Sequence, residues 1–159
     1  MTRFFVILVS TFLFSAVLTA EASKDKMVLR YVVRSTRNGD TDLSISAKDG
    51  SVTVKRELQE LGCPRTWDKT CFAERTYTGK MPVKKVSALI DEVLNKKLFD
   101  MPKEDNSGQL EGDQYAIGLL EEGKEPRYAN SIESRLKKDK IFNVIRKKLQ
   151  SIVDKHSKI

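Results

Sequence analysis

The sequence predicts an α+β domain: an antiparallel sheet of about six strands, ordered as four strands, a helix, two strands and a closing helix, with both amphipathic helices packed on one face. Three observations lead there. Short segments rich in β-branched and aromatic residues recur along the chain, several of them alternating polar with apolar. Turn dipeptides such as Asn38-Gly39, Asp49-Gly50 and Glu122-Gly123 separate neighbouring segments. Two longer stretches repeat apolar residues at every third or fourth position.

Residues 28–34 (Val-Leu-Arg-Tyr-Val-Val-Arg) make the first strand. Leu43, Ile45 and Ala47 alternate with Ser44 and Ser46 as a half-buried second strand. Val52 and Val54 continue the alternation against Thr53 and Lys55, completing a meander whose apolar face needs a cover. Residues 57–69 read as irregular. Residues 71–78 supply a fourth strand through Phe72 and Thr76-Tyr77-Thr78. Pro82 suits the first turn of a helix whose stripe is Val83, Val86, Ile90, Val93 and Leu94, with Leu89 beside it, ending near Lys97.

Residues 100–112 are polar and read as a loop within one domain. Residues 114–120 and 127–132 make the fifth and sixth strands, with Pro126 at the start of the sixth or on an edge because it lacks an amide donor. The closing helix starts between Ser131 and Lys140. Its stripe is Phe142, Ile145, Leu149, Ile152 and Val153, widened by Ile141 and Val144.

Tyr31, Leu43-x-Ile45, Asp49-Gly50-x-Val52, a helix, Asp113-x-Tyr115-x-Ile117 and a terminal helix together resemble a class of small exported bacterial α+β domains of unassigned function. The resemblance covers most of residues 27–155 and implies a helix-covered sheet, with no activity attached. The chain departs from it at Arg37-Asn38-Gly39, where that class often carries Cys and Gly together.

Residues 1–22 read as a signal peptide and 23–159 as the single domain. Arg3 gives a positive start, 4–18 is apolar apart from Ser10, Thr11 and Ser15, and Ala20-Glu21-Ala22 offers small residues for cleavage after Ala22. An uncleaved membrane anchor is the competing reading, at the short end of what spans a bilayer. A secreted or periplasmic location follows from cleavage. Cys63 and Cys71 are the only cysteines, and an even count in an oxidising compartment points to a disulfide. Zinc would want further ligands where His156 is the sole histidine, and a redox pair would want Cys-x-x-Cys.

The net charge of +7 is concentrated at the end of the chain: residues 133–159 hold nine Lys and Arg against three acids. Residues 101–126 are acidic, with seven carboxylates against two lysines. The basic helix is either a solvated face or a contact for an anionic partner. Candidate partner-binding residues are Lys138, Arg146, Lys147 and Lys148, together with Trp67, which serves either as a hot-spot anchor in the cysteine loop or as core over the sheet. Nucleic acid is not an expected partner, since no aromatics interleave the cations and no nucleic-acid module is present.

No nucleophile–histidine constellation, glycine-rich phosphate loop or hydrolase elbow occurs, and His156 sits in a helix tail expected to fray. Glu104, Asp105, Glu111 and Asp113 form an acidic segment read first as solvated, then as a calcium or carboxylate-pair site. The expectation is therefore a monomeric, non-enzymatic binding or inhibitor-like protein without cofactor or metal. The alternatives are a basic envelope protein on anionic surfaces and, third, a hydrolase using the acidic segment. Material exported by the native host should start at Ser23 and contain no free thiol, as read by intact mass and thiol titration. Retention of Met1, or two titratable thiols, would contradict the respective expectation.

Overall fold

Alternating apolar residues on β-strands demand a partner layer on one side, and two striped helices supply it. The computed structural model describes residues 24–35, 38–60, 71–100 and 112–158. The elements in chain order are β1 (Met27–Arg34), β2 (Thr41–Ser46), β3 (Ser51–Gln59), β4 (Phe72–Lys80), α1 (Val83–Asn95), β5 (Gln114–Glu121), β6 (Arg127–Ile132) and α2 (Lys140–His156). Short 3-10 turns at Leu98–Asp100 and Glu133–Arg135 follow α1 and β6. The chain is α+β, with one antiparallel six-stranded sheet in the order β4-β3-β2-β1-β5-β6.

Register follows side-chain parity. Leu29 and Tyr31 on β1 face Ile45 and Leu43 on β2 and Leu119 and Ile117 on β5, and all six are buried. The helices cover this face: Val86, Leu89, Ile90 and Val93 of α1 and Phe142, Ile145, Leu149 and Val153 of α2 join one core with the strand residues. The opposite face is half-exposed and mixed, with Arg30, Asp42, Ser44 and Thr53 beside Val28, Val32 and Leu120, as suits an antiparallel sheet with one solvated side. Arg30 is ion-paired there with Asp42, its Nε donating to Oδ1 at 3.0 Å, which holds the guanidinium still more firmly protonated. Gly118 lies under the Tyr128 ring, and a Cβ at that position would collide with it.

The Asp49-Gly50 turn requires glycine. Gly50 has φ +68°, and a Cβ would run into the Met81 carbonyl oxygen, because the Met81 N–H donates to Gly50 O at 2.8 Å and holds the two backbones together.

Several expectations change. Residues 57–59 are not irregular but extend β3, because Glu57, Leu58 and Gln59 pair with Glu74, Ala73 and Phe72 of β4. Val83, the first residue of α1, is exposed. Ile141 and Val144 do not widen the α2 stripe; they are 47% and 43% exposed. At 100° per residue Val144 lies roughly 145° round the helix from the stripe centre, too far to reach the sheet. His156 is not in a fraying tail. Its ring lies on Gly79 of β4, in the space a Cβ would take, and Ser157 closes the helix with Oγ donating to Val153 O at 2.7 Å.

Buried and exposed aliphatics on one helix make a direct test. Ile145→Ala and Leu149→Ala should each destabilise by about 2–4 kcal/mol in urea unfolding, whereas Ile141→Ala and Val144→Ala should each change stability by less than about 1 kcal/mol.

Candidate binding surface

The basic segment singled out from the sequence divides into two populations. Arg146 belongs to the interior edge of α2. Its guanidinium lies 5.0 Å from the centroid of the Tyr115 ring on β5, and its Nε donates to Asn143 Oδ1 at 3.1 Å. Beneath it, Tyr31 Oη donates to Gln150 Oε1 at 3.2 Å. Burial raises the Tyr31 phenol well above its usual range, with the Arg146 charge opposing that shift. Burial also raises Tyr115, whose hydroxyl donates to Asp113 Oδ2 at 3.4 Å.

Lys148 is occupied as well. Its Nζ reaches the two carboxylate oxygens of Glu92 on α1 at 2.6 and 2.7 Å, and Lys96 approaches the same carboxylate at 3.2 Å. The Lys148 hydrogen bond is the chief cause of a Glu92 pKa below its ordinary value. This bridge ties the two helices on their outer side.

The remaining cations face solvent. Lys138 lies in the turn before α2, and Lys137, Lys140, Lys147 and Lys155 are exposed around it and along the helix. Ile141 and Val144 emerge among them. The outer side of α2 therefore combines two branched aliphatics with lysines that are unpaired among the described residues. Sequence reasoning assigned both aliphatics to the core. For Val144 the usable signal was its angular distance from Phe142, Ile145, Leu149 and Val153; Ile141 lies only about 40° from Ile145 and carries no such signal.

The other candidates are less complete. Cys63 and Trp67 lie outside the described residues, so the disulfide and the proposed anchor do too; Cys71 is buried and is not a free thiol. Glu104, Asp105 and Glu111 also lie outside them, as does the leader. Asp113 is engaged, its N–H donating to Glu133 Oε2 at 3.4 Å. Among the described residues no cluster of three or more His, Cys, Asp or Glu is placed to hold a metal ion, and no helix is long and apolar enough to cross a membrane.

A cleft of about 180 Å³ opens at the hairpin end of the polar sheet face, lined by Arg34, Asp40, Asp42, Lys55, Glu57 and Glu74 among others. Most of its charges are engaged: Arg34 pairs with Asp40 at 2.7 Å, Asp42 with Arg30, and Lys55 approaches the exposed Glu74 at 3.5 Å, while Arg56 donates to Ser157 Oγ at 3.1 Å. A ligand would have to displace these pairs. Comparison with protein-family models and with curated proteins gives no match.

The Lys148–Glu92–Lys96 bridge sets a pH dependence. Because the folded carboxylate titrates below its ordinary 4.5, the stabilisation is present above that value and disappears as pH falls through the lower folded value. Exposure of the lysines limits it to less than about 1 kcal/mol. Glu92→Gln should lower stability near pH 6 by that amount, and the difference should shrink steadily as pH falls below 4.5, as measured by urea unfolding across pH.

Proposed function

We propose that the chain is an exported, non-enzymatic binding protein that meets an anionic envelope surface through the outer side of α2. The observation that carries this reading is the exposure of Ile141 and Val144 between solvent-facing lysines. Lysines near an anionic surface contribute about 1 kcal/mol each and act over a Debye length. Branched aliphatics add short-range contact once the charges have brought the surfaces together, which is the division of labour of interfacial helices. A merely solvated helix face gains nothing from exposing two branched aliphatics together.

Export belongs to the same proposal. The leader over residues 1–22 delivers the domain to an oxidising compartment, and Cys63 and Cys71 close a disulfide there. The inhibitor-like reading depends on Trp67 and the cysteine loop, outside the described residues, so α2 is the surface on which the function is argued. Hydrolysis has less support: His156 is packed on Gly79, and Asp113 is already hydrogen-bonded to Tyr115.

Sedimentation with vesicles of anionic and of neutral phospholipid, and with cell-wall fragments, tests the proposal and separates the two sources of negative charge. Binding to anionic material should fall steeply between low and high salt. Lys140→Glu with Lys147→Glu should weaken it by about tenfold or more. Ile141→Ser with Val144→Ser should weaken it by about threefold or more while leaving the salt dependence intact. Equal binding to neutral and anionic vesicles, or binding to none of the three materials, would refute the reading.

A further inference from the structure

The two edges of the sheet are unlike. β6 is six residues long, is preceded by Pro126 and packs beside the Leu98–Asp100 turn, where Arg127 lies over the Phe99 ring at 5.2 Å. These are the devices that close an edge to further pairing. β4 is nine residues long, contains no proline, pairs with β3 over its whole length and has no strand on its other side among the described residues. Glu74, Arg75, Thr76, Thr78 and Lys80 are all exposed.

The direction of the free backbone groups follows from the hydrogen bonds at the two ends of the β3–β4 ladder. The Glu60 N–H donates to Cys71 O at 2.9 Å, and the Met81 N–H to Gly50 O at 2.8 Å. Antiparallel pairs alternate between bonded and non-bonded, so Ala73, Arg75, Tyr77 and Gly79 direct their N–H and C=O groups at β3. Phe72, Glu74, Thr76, Thr78 and Lys80 direct theirs outward. The free edge is a regular ladder of donors and acceptors.

We propose that β4 pairs antiparallel with β4 of a second copy, across a two-fold axis at Tyr77, so that the two six-stranded sheets become continuous. In this register Thr76 lies opposite Thr78 of the other copy and Glu74 opposite Lys80, each twice by symmetry, and all four are residues with outward backbone groups. Opposite charges meet directly on the polar face, and threonine meets threonine between them, both favourable cross-strand pairs. The two tyrosines meet at the axis on the helix-covered face. Neighbouring registers lack this match. An axis at Thr76 sets Lys80 against Phe72 and Glu74 against Thr78. An axis at Arg75 sets that residue against itself, and one at Thr78 leaves Glu74 without a partner. A two-fold axis gives an isologous, closed dimer and buries both copies of the open edge at once. This departs from the monomer expected from the sequence, and it is independent of the α2 surface.

Sedimentation equilibrium over a range of concentrations, on the chain as its native host delivers it, reads the outcome. A monomer–dimer equilibrium is expected. Glu74→Lys and Lys80→Glu should each raise the dissociation constant by about tenfold, because each creates two like-charge pairs. The double variant restores opposite charges and should return the constant to within about threefold of the original. Thr78→Pro removes an outward N–H and leaves the β3 ladder intact, so it should abolish the dimer with little change in circular dichroism. A chain that stays monomeric to about 1 mM, or a dimer indifferent to the charge reversals and their combination, overturns the proposal.

Discussion

The whole molecule depends on the pairing of β1 with β5. β1 is the one strand that touches both halves of the chain: on one side it joins the β2–β3–β4 meander, on the other the β5–β6 hairpin. The β5 pairing runs unbroken from Met27↔Glu121 to Arg34↔Gln114. It closes a loop that contains three strands and α1, so its entropic cost falls on a single ladder. The ladder can bear it because Leu29 and Tyr31 are fully buried between Ile45 and Leu43 on one side and Leu119 and Ile117 on the other. A one-residue slip would turn all of them to solvent.

That sheet order dictates the course of α2. Asp139, just before the helix, accepts from Ser131 of β6 at 2.6 Å. Arg146 reaches Tyr115 of β5, Gln150 reaches Tyr31 of β1, and the end of the helix meets β3 and β4 through Ser157 with Arg56 and His156 with Gly79. The helix thus crosses the sheet strand by strand. Six strands at a spacing of about 4.8 Å span roughly 24 Å, and 17 residues at a rise of 1.5 Å extend about 25 Å. Helix length and sheet width match, which is why the C-terminal turn is pinned at Gly79.

Much of this was legible in the residues. Alternation located β2 and the start of β3, turn dipeptides located their ends, and the stripes of both helices were readable from spacing. The tail of β3 was not, because Glu57, Leu58 and Gln59 carry no strand pattern of their own and are extended only through their pairing with β4. Val144 was misplaced for the opposite reason: its residue type argues for burial, while its angle on the helix denies it, whereas Val83 and Ile141 lie at angles compatible with the stripes but in the first turns of their helices, where they are exposed. The hairpin cleft was invisible, since Arg34, Lys55 and Glu74 come together only through strand pairing.

The same distinction governs what the charge of the final segment means. Counted along the chain, its cations form one basic block. In the fold, Arg146 is drawn onto an aromatic ring and Lys148 onto Glu92, so two of the four basic residues first singled out serve the internal structure. Those two are the helix cations nearest the stripe, one on either flank of it, where Arg146 reaches the Tyr115 ring and the half-exposed Lys148 reaches Glu92 of α1. Lys140 and Lys147 sit opposite the stripe, beyond reach of the sheet, and remain available to other molecules. The angle from the apolar stripe therefore sorts the cations of the helix, and Val144 with them. Lys140, Lys147 and Val144 lie on the side of α2 turned away from the core, with Ile141 exposed on the flank beside them, and it is that joint placement, more than the net charge, that makes the helix a surface for contact.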